Sequence, residues 1–365
     1  MKRIVICCDG TWNSNDRADK ATNVWKLCGL VLPRDGAGVE QAKRYYAGVG
    51  SRRFERFRGG ALGWGLSRNI EGAYVDLVGL FEPGDELFLF GFSRGAYTTR
   101  SLAGLIRNAG ILKPEHVDQA DAAYELYRDR DPRTAPRSDT ATEFRRRFSH
   151  ETRIRFIGVW DTVGSLGIPK IGLGLVNALF RWRWAFHDVE LSTAVDFAYQ
   201  ALAVDERRGP FRPAIWRQRP DAVGQTLEQV WFAGVHSDVG GGYPESGLSD
   251  GPLRWMLDRA AAVGLALDRE RIPREIAPDP LAPAHDSLTM FYRALDWAAP
   301  LVRIERARIA FRRIGARRDG HESIASSVVD RRAAMRPRYD PSNVRAYLGA
   351  DGKITDVRWG GQNPV

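Results

Sequence analysis

Ser93 stands between two glycines in Gly91-Phe92-Ser93-Arg94-Gly95. An apolar run, Leu87 to Phe90, precedes it, and a helix-compatible stretch through Leu105 and Ile106 follows. Strand, sharp turn and helix in that order lift a serine hydroxyl above the end of a sheet, at the positive end of the helix. A hydroxyl is a weak nucleophile at neutral pH. It needs an imidazole to take its proton and a carboxylate to fix the imidazole tautomer. The histidines are His116, His150, His187, His236, His285 and His321. Only His236 follows directly on an apolar strand-like run, Val230 to Val235, and it leads into Gly240-Gly241-Gly242, where backbone can approach a neighbour closely. His285 and His321 are the alternatives for the base, each also readable as a helix-start cap.

For the orienting acid, Asp161 ends the run Ile154 to Trp160. Asp238 is its rival; it lies too near His236 in sequence to pair easily but could serve His285. An oxyanion hole needs two backbone N–H donors. One is expected from Arg94, the residue after the serine. The other is expected from the loop after the first apolar run, at Gly10 or Thr11, although Asp9 could instead make this loop purely structural. No metal or organic cofactor is needed for this chemistry.

The elements that must position these residues read as buried parallel strands. Ile4 to Cys8, Tyr45 to Val49, Leu87 to Phe90, Ile154 to Trp160 and Val230 to Val235 are continuous apolar runs, each followed by Gly, Asp, Ser or His. Open α/β sheets place their sites at such strand ends. Between them, Asn69 to Phe81, Asp118 to Arg130, Ser192 to Ala203 and Leu253 to Ala266 read as helices, Arg133 to Thr140 as a loop. Arg303 to Arg318 reads as basic and helical, and the chain from Pro337 as turn-rich. No linker marks a boundary, so residues 1–365 are expected to form one α/β domain with a mostly parallel central sheet flanked by helices. Residues 165–190 are a candidate lid or interfacial insertion. The pairs Arg181-Trp182 and Arg183-Trp184 lie there, beside an apolar segment too charged to span a membrane.

The chain has 365 residues, enough for a large core, and a net charge of +9. Arginine dominates that charge, since there are only seven lysines. Such a surface can meet phosphates or anionic lipid headgroups, but no nucleic-acid module is recognisable. Cys7, Cys8 and Cys28 have no metal-ligand spacing and fit buried thiols in a reducing compartment. The N-terminal apolar run is short and ends at Asp9, so it reads as a strand rather than a cleaved leader. The expected location is cytoplasmic, or exported without a signal peptide.

Several longer segments, in order, carry a family resemblance. They are Cys8-Asp9-Gly10-Thr11-Trp12-Asn13, Gly91-Phe92-Ser93-Arg94-Gly95-Ala96-Tyr97, Gly158-Val159-Trp160-Asp161-Thr162-Val163-Gly164, Ala203-Val204-Asp205-Glu206-Arg207-Arg208, and Trp231 to Tyr243. Together they resemble a bacterial and fungal family of α/β-hydrolase-like proteins, long catalogued as a domain of unknown function. That family includes the catalytic domain of phospholipase effectors of the type VI secretion system. The resemblance implies an α/β-hydrolase-like fold with insertions and a Ser–Asp–His lipase or esterase, mapped by position onto Ser93, Asp161 and His236. It implies a lipid or small ester substrate, a transient membrane surface, and a secretion-system or immunity protein as partners. Two other readings stand beside it. One is a non-catalytic binding or effector-accessory protein on the same fold. The other is a phosphatase built on the Asp9 loop, weakened because Cys7 stands where such enzymes carry an aspartyl nucleophile.

Overall fold

The computed structural model describes residues 1–10, 21–48, 61–163, 190–288, 309–315, 321–335 and 337–357, with only the backbone described for 61–66 and 210. The candidate lid at 165–190 falls almost wholly outside them. The strands are β1 (Arg3–Cys8), β2 (Gln41–Tyr46), β3 (Glu86–Phe92), β4 (Ile111–Leu112), β5 (Ser149–His150), β6 (Ile154–Trp160), β7 (Val195–Ala203), β8 (Thr226–Phe232), β9 (Glu322–Ala325) and β10 (Ile354–Thr355). Eight of them form one sheet in the order β10-β9-β8-β7-β6-β3-β1-β2, and every pairing in it is parallel. β4 and β5 form a small antiparallel pair. This is the expected mostly parallel central sheet flanked by helices.

Both faces of the sheet are covered at β1 and β3, which is why Ile4 to Cys8 and Leu87 to Phe90 read as unbroken apolar runs. Along β3, Phe88, Phe90 and Phe92 belong to one apolar cluster, and Leu87 and Leu89 to the other. The first cluster is closed by α1 (Asn23–Leu30), through Val24 and Leu27, and by a long helix at Gly247–Ala262, through Leu253, Met256 and Leu257. The second is closed by α2 (Ala61–Leu80), through Ile70, Tyr74 and Leu77, and by α3 (Arg94–Ala109), through Leu102, Leu105 and Ile106. Each fully buried side chain of this size contributes about 1.5–3 kcal/mol. Among the described residues, no helix is long and apolar enough to cross a membrane.

Several elements differ from the sequence reading. The segment expected as a helix from Ser192 to Ala203 is strand β7, paired with β6 on one side and β8 on the other. Its Ala, Gln and Leu are good helix formers, but a central strand position decides such a segment by tertiary context. Gln200 is tolerated there because its amide donates to Gln229 Oε1 (2.8 Å) and Ala214 O (3.1 Å). The strand expected at Tyr45 to Val49 begins earlier, at Gln41. As the sheet's edge it carries the partly buried Ala42 and the exposed Lys43 and Arg44 rather than an apolar run. Beyond α4 (Ala120–Arg128), part of the expected loop at 133–140 starts α5 (Asp139–Phe148), whose N-cap Ser138 accepts the Ala141 N–H (3.2 Å). Residues 309–315, expected as helix, have no regular structure up to 313 and form a turn at 314–315.

Candidate active site

Three strand ends meet at the carboxyl rim of the sheet. β3 delivers Ser93, the adjacent β6 delivers Asp161, and β8 runs through Ala233 to Val235 into the short helix α6 (His236–Gly240) that begins with His236. Ser93 Oγ–H donates to His236 Nε2 (2.8 Å), and His236 Nδ1–H donates to Asp161 Oδ2 (2.5 Å). Residues 143 and 75 positions apart are thereby joined in one hydrogen-bonded line.

The turn at Ser93 carries visible strain. Ser93 has φ 57° and ψ −119°, a backbone region costing of order 1–3 kcal/mol. Its N–H is tied to Trp160 O (3.0 Å), and Thr99 Oγ1 donates back to Phe90 O (3.0 Å). Gly95 is obligatory here, because a Cβ on it would lie 2.1 Å from the Cys8 carbonyl oxygen and 2.5 Å from that of Asp9. The close seating of α3 on the end of β1 thus depends on a bare backbone. Arg94 is the first residue of α3, so the helix offers its N–H no acceptor and leaves it available to an oxyanion. Burial pushes the Arg94 guanidinium down to about 10.

Of the two residues expected to supply the second donor, only Gly10 is among the described residues. Gly10 N–H donates to the preceding carboxylate, Asp9 Oδ1 (2.6 Å), and Thr11 lies outside the described residues. Asp9 Oδ2 accepts from Thr22 Oγ1 (2.5 Å) and Tyr45 OH (2.5 Å). Asp9 therefore fastens β1, β2 and the start of α1 together, and its carboxylate is occupied by these bonds.

His236 is 5% exposed and lies between Phe92, with ring centroids 4.8 Å apart, and Phe211, 5.0 Å away and edge-on. Gly240 gives Phe92 its room, since a Cβ there would fall 1.9 Å from the ring. His236 backbone N–H donates to Glu206 Oε2 (3.3 Å). Glu206 is fully buried, accepts from Ser287 Oγ (3.2 Å) and is forked by Arg208 (2.9 and 2.7 Å). Burial would raise the Glu206 carboxyl, but Arg208 and Arg312 together hold it below the usual carboxylate range.

Sequence reasoning missed Arg312. Its guanidinium Nη1 donates to Asp161 Oδ1 (2.6 Å) and Ala203 O (3.1 Å), and Nη2 to Asp161 Oδ2 (3.0 Å) and Phe211 O. Ala203 N–H adds a bond to Asp161 Oδ1 (3.1 Å). Asp161 is fully buried, and burial alone would raise its carboxyl. The Arg312 charge and the His236 hydrogen bond overcome that and hold it well below the usual carboxylate range. Nothing in the sequence distinguishes Arg312 from its basic neighbours. The Glu206 network was legible only as one of the segments that carry the resemblance, with no role attached.

The alternative residues have other partners. Asp238 Oδ1 is bonded to His285 Nδ1 (2.6 Å), and Asp238 Oδ2 accepts the N–H of Val235 (3.0 Å) and of His285 (3.2 Å). His285 Nε2 faces Glu245 (3.3 Å), and its ring stacks on Tyr243 at 3.7 Å. This pair pins the segment around residue 285 onto α6. His321 is exposed, and its carbonyl accepts Gln229 N–H (3.1 Å) at the start of β9.

Comparison with known proteins places this geometry in context. An uncharacterized protein of Saccharomyces cerevisiae, YEL023C, is 31% identical over 241 residues, covering 60% of this chain and 33% of that protein. This chain therefore spans about a third of that relative's length. Among solved structures, an uncharacterized protein from Pseudomonas aeruginosa is 17% identical with a TM-score of 0.43, covering 76% of this chain and 49% of that one. The Tle1 effector, solved bound to the VgrG spike of the type 6 secretion system, is 15% identical with a TM-score of 0.43, covering 82% and 80%. The model of the type VI secretion phospholipase effector Tle1-like catalytic domain matches residues 2–259, and the chain belongs to that α/β-hydrolase-like family.

Proposed function

We propose that the chain is a serine hydrolase of carboxylic esters, with phospholipid acyl esters as its main substrates. The observation that carries this is the unbroken line Ser93–His236–Asp161 at 2.8 and 2.5 Å. Ser93 Oγ attacks the ester carbonyl while His236 Nε2 takes its proton, and Arg94 N–H receives the developing oxyanion. His236 then protonates the leaving alcohol. Water, deprotonated by the same imidazole, releases the acyl group and restores Ser93. Asp161 keeps the proton on Nδ1, so that Nε2 faces the serine.

The same proposal takes residues 1–365 as one domain, because β9 and β10, from the C-terminal part, extend the same sheet. Membership in an effector family supports lipid as substrate and a secretion-system component as partner. The phosphatase reading is disfavoured by the Asp9 carboxylate, whose hydrogen bonds hold the fold together. A fluorophosphonate probe tests the proposal. It should label wild type at Ser93 and fail on Ser93→Ala, with phospholipid and short-chain ester hydrolysis lost in parallel. Folded wild type that takes no label and cleaves no ester would refute it and favour the accessory-protein reading.

A further inference from the structure

We infer that Arg312 is a positioning residue that sets the pH range of the site, by offsetting the charge of Asp161 and so keeping His236 free to act as a base. This rests on the hydrolase reading above. Arg312 lies outside residues 2–259, the segment matched by the family model, so a part of the chain beyond the matched region completes the catalytic line.

Among the described residues, the charged groups around the His236 imidazole are Asp161 at the end of β6, Glu206 after β7, Arg208 paired with Glu206, and Arg312. Asp238, on the same short helix as His236, is engaged by His285. Among the described residues, the Ser93 side supplies the hydroxyl, and Arg94 follows it. Asp161 and Glu206 are thus matched by Arg312 and Arg208. All of this is deep: Asp161 and Glu206 are fully buried and Arg312 is 7% exposed. Screening by water and salt is weak in such a place.

The fork also fixes geometry. Both oxygens of Asp161 are held by Arg312, and Oδ1 by Ala203 N–H as well, so Oδ2 can only present itself to Nδ1 of His236. Arg312 in turn bonds the carbonyl of Phe211, whose ring packs edge-on against His236. One guanidinium therefore holds both the carboxylate and an aromatic wall of the imidazole.

Without Arg312, the Asp161–His236 pair would carry an unmatched negative charge. The pair would then take up a proton at higher pH, whichever member holds it. A nearby charge of this kind moves an apparent pKa by about 1–3 pH units. A role limited to packing would instead lower the rate equally at all pH.

The test follows the rate of fluorophosphonate labelling of Ser93 from acid to alkaline pH. In Arg312→Gln the acid limb should move up by about one pH unit or more, a loss of about tenfold at any pH on the limb, beyond whatever uniform loss the missing fork causes on the alkaline plateau. Arg312→Lys keeps the charge without the fork and should leave the limb near its wild-type position. A limb that does not move in Arg312→Gln, with or without a uniform loss of rate, would overturn the inference. Wild type that never labels would instead remove the hydrolase reading, and this inference with it.

Removing one member of a buried pair can cost about 3–5 kcal/mol and unfold the chain. A second comparison covers that case. Asp161→Asn and the double variant Asp161→Asn with Arg312→Gln are followed by NMR titration of the His236 ring. With the guanidinium unopposed in Asp161→Asn, the ring should titrate at least about one pH unit lower than in the double variant. Identical titrations would overturn the inference.

Discussion

Asp205 gives a stability prediction that can be worked from its surroundings. It sits just past β7, where its Oδ2 accepts Gly234 N–H (2.7 Å) and Tyr339 OH (2.9 Å), and its own N–H donates to Gly234 O (3.0 Å). It thus ties the end of β7 to the backbone that launches His236. Burial pushes its carboxyl up, from 3.8 to about 6, against the smaller opposing effect of those two donors and of Arg331. The sign follows from proton linkage. Between about pH 4 and 6 the folded chain holds a proton on Asp205 that the unfolded chain has lost, so stability falls as pH rises across that window. The displacement of about two pH units, at about 1.4 kcal/mol each, makes the ionised form costlier by about 3 kcal/mol. That is an upper bound, because the residue keeps partial contact with solvent. Asp205→Asn retains an oxygen for both donors and removes the charge. By urea unfolding it should be more stable than wild type by about 1–3 kcal/mol at pH 8, and the gap should close by pH 4. Comparing variant with wild type at each pH cancels the other carboxylates. Asp161 and Glu206 are held low and therefore lose stability in the opposite direction, as pH falls. An Asn variant less stable than wild type at pH 8, or a gap that does not vary with pH, would refute the reasoning.

Gly240→Ala would drive a methyl into the Phe92 ring, 1.9 Å away. The ring supports His236, so the labelling rate of Ser93 should fall with a destabilisation of about 1–3 kcal/mol by thermal unfolding. His285→Gln removes the imidazole that bridges Asp238 and Glu245. Loss of a true general base costs about 10²–10⁴-fold, and labelling in this variant should stay well above that range while the melting temperature drops. A loss as large as that of His236→Gln would return His285 to the chemistry.

What the sequence determined by itself were the ends of strands. Parallel strands covered on both faces are mainly apolar, so the polar residue that stops each run marks the sheet's rim. Ser93, Asp161 and His236 were selected in that way, and all three come together there. The turn at Ser93 was legible because a strained backbone beside a closely packed strand requires glycine at 95. The edge strand β2 was blurred because an edge has no second neighbour and tolerates Lys43 and Arg44. Strand β7 was hidden because local helix preference in its Ala, Gln and Leu is worth only tenths of a kcal/mol per residue, far less than pairing with both β6 and β8. The Gly10 N–H turns to the Asp9 carboxylate beside it, a direction that residue type does not encode. Arg312 was beyond reach of the sequence altogether. An arginine among arginines becomes a partner of Asp161, 151 residues earlier, only when folding buries both, because burial turns a screened surface charge into one that must be matched.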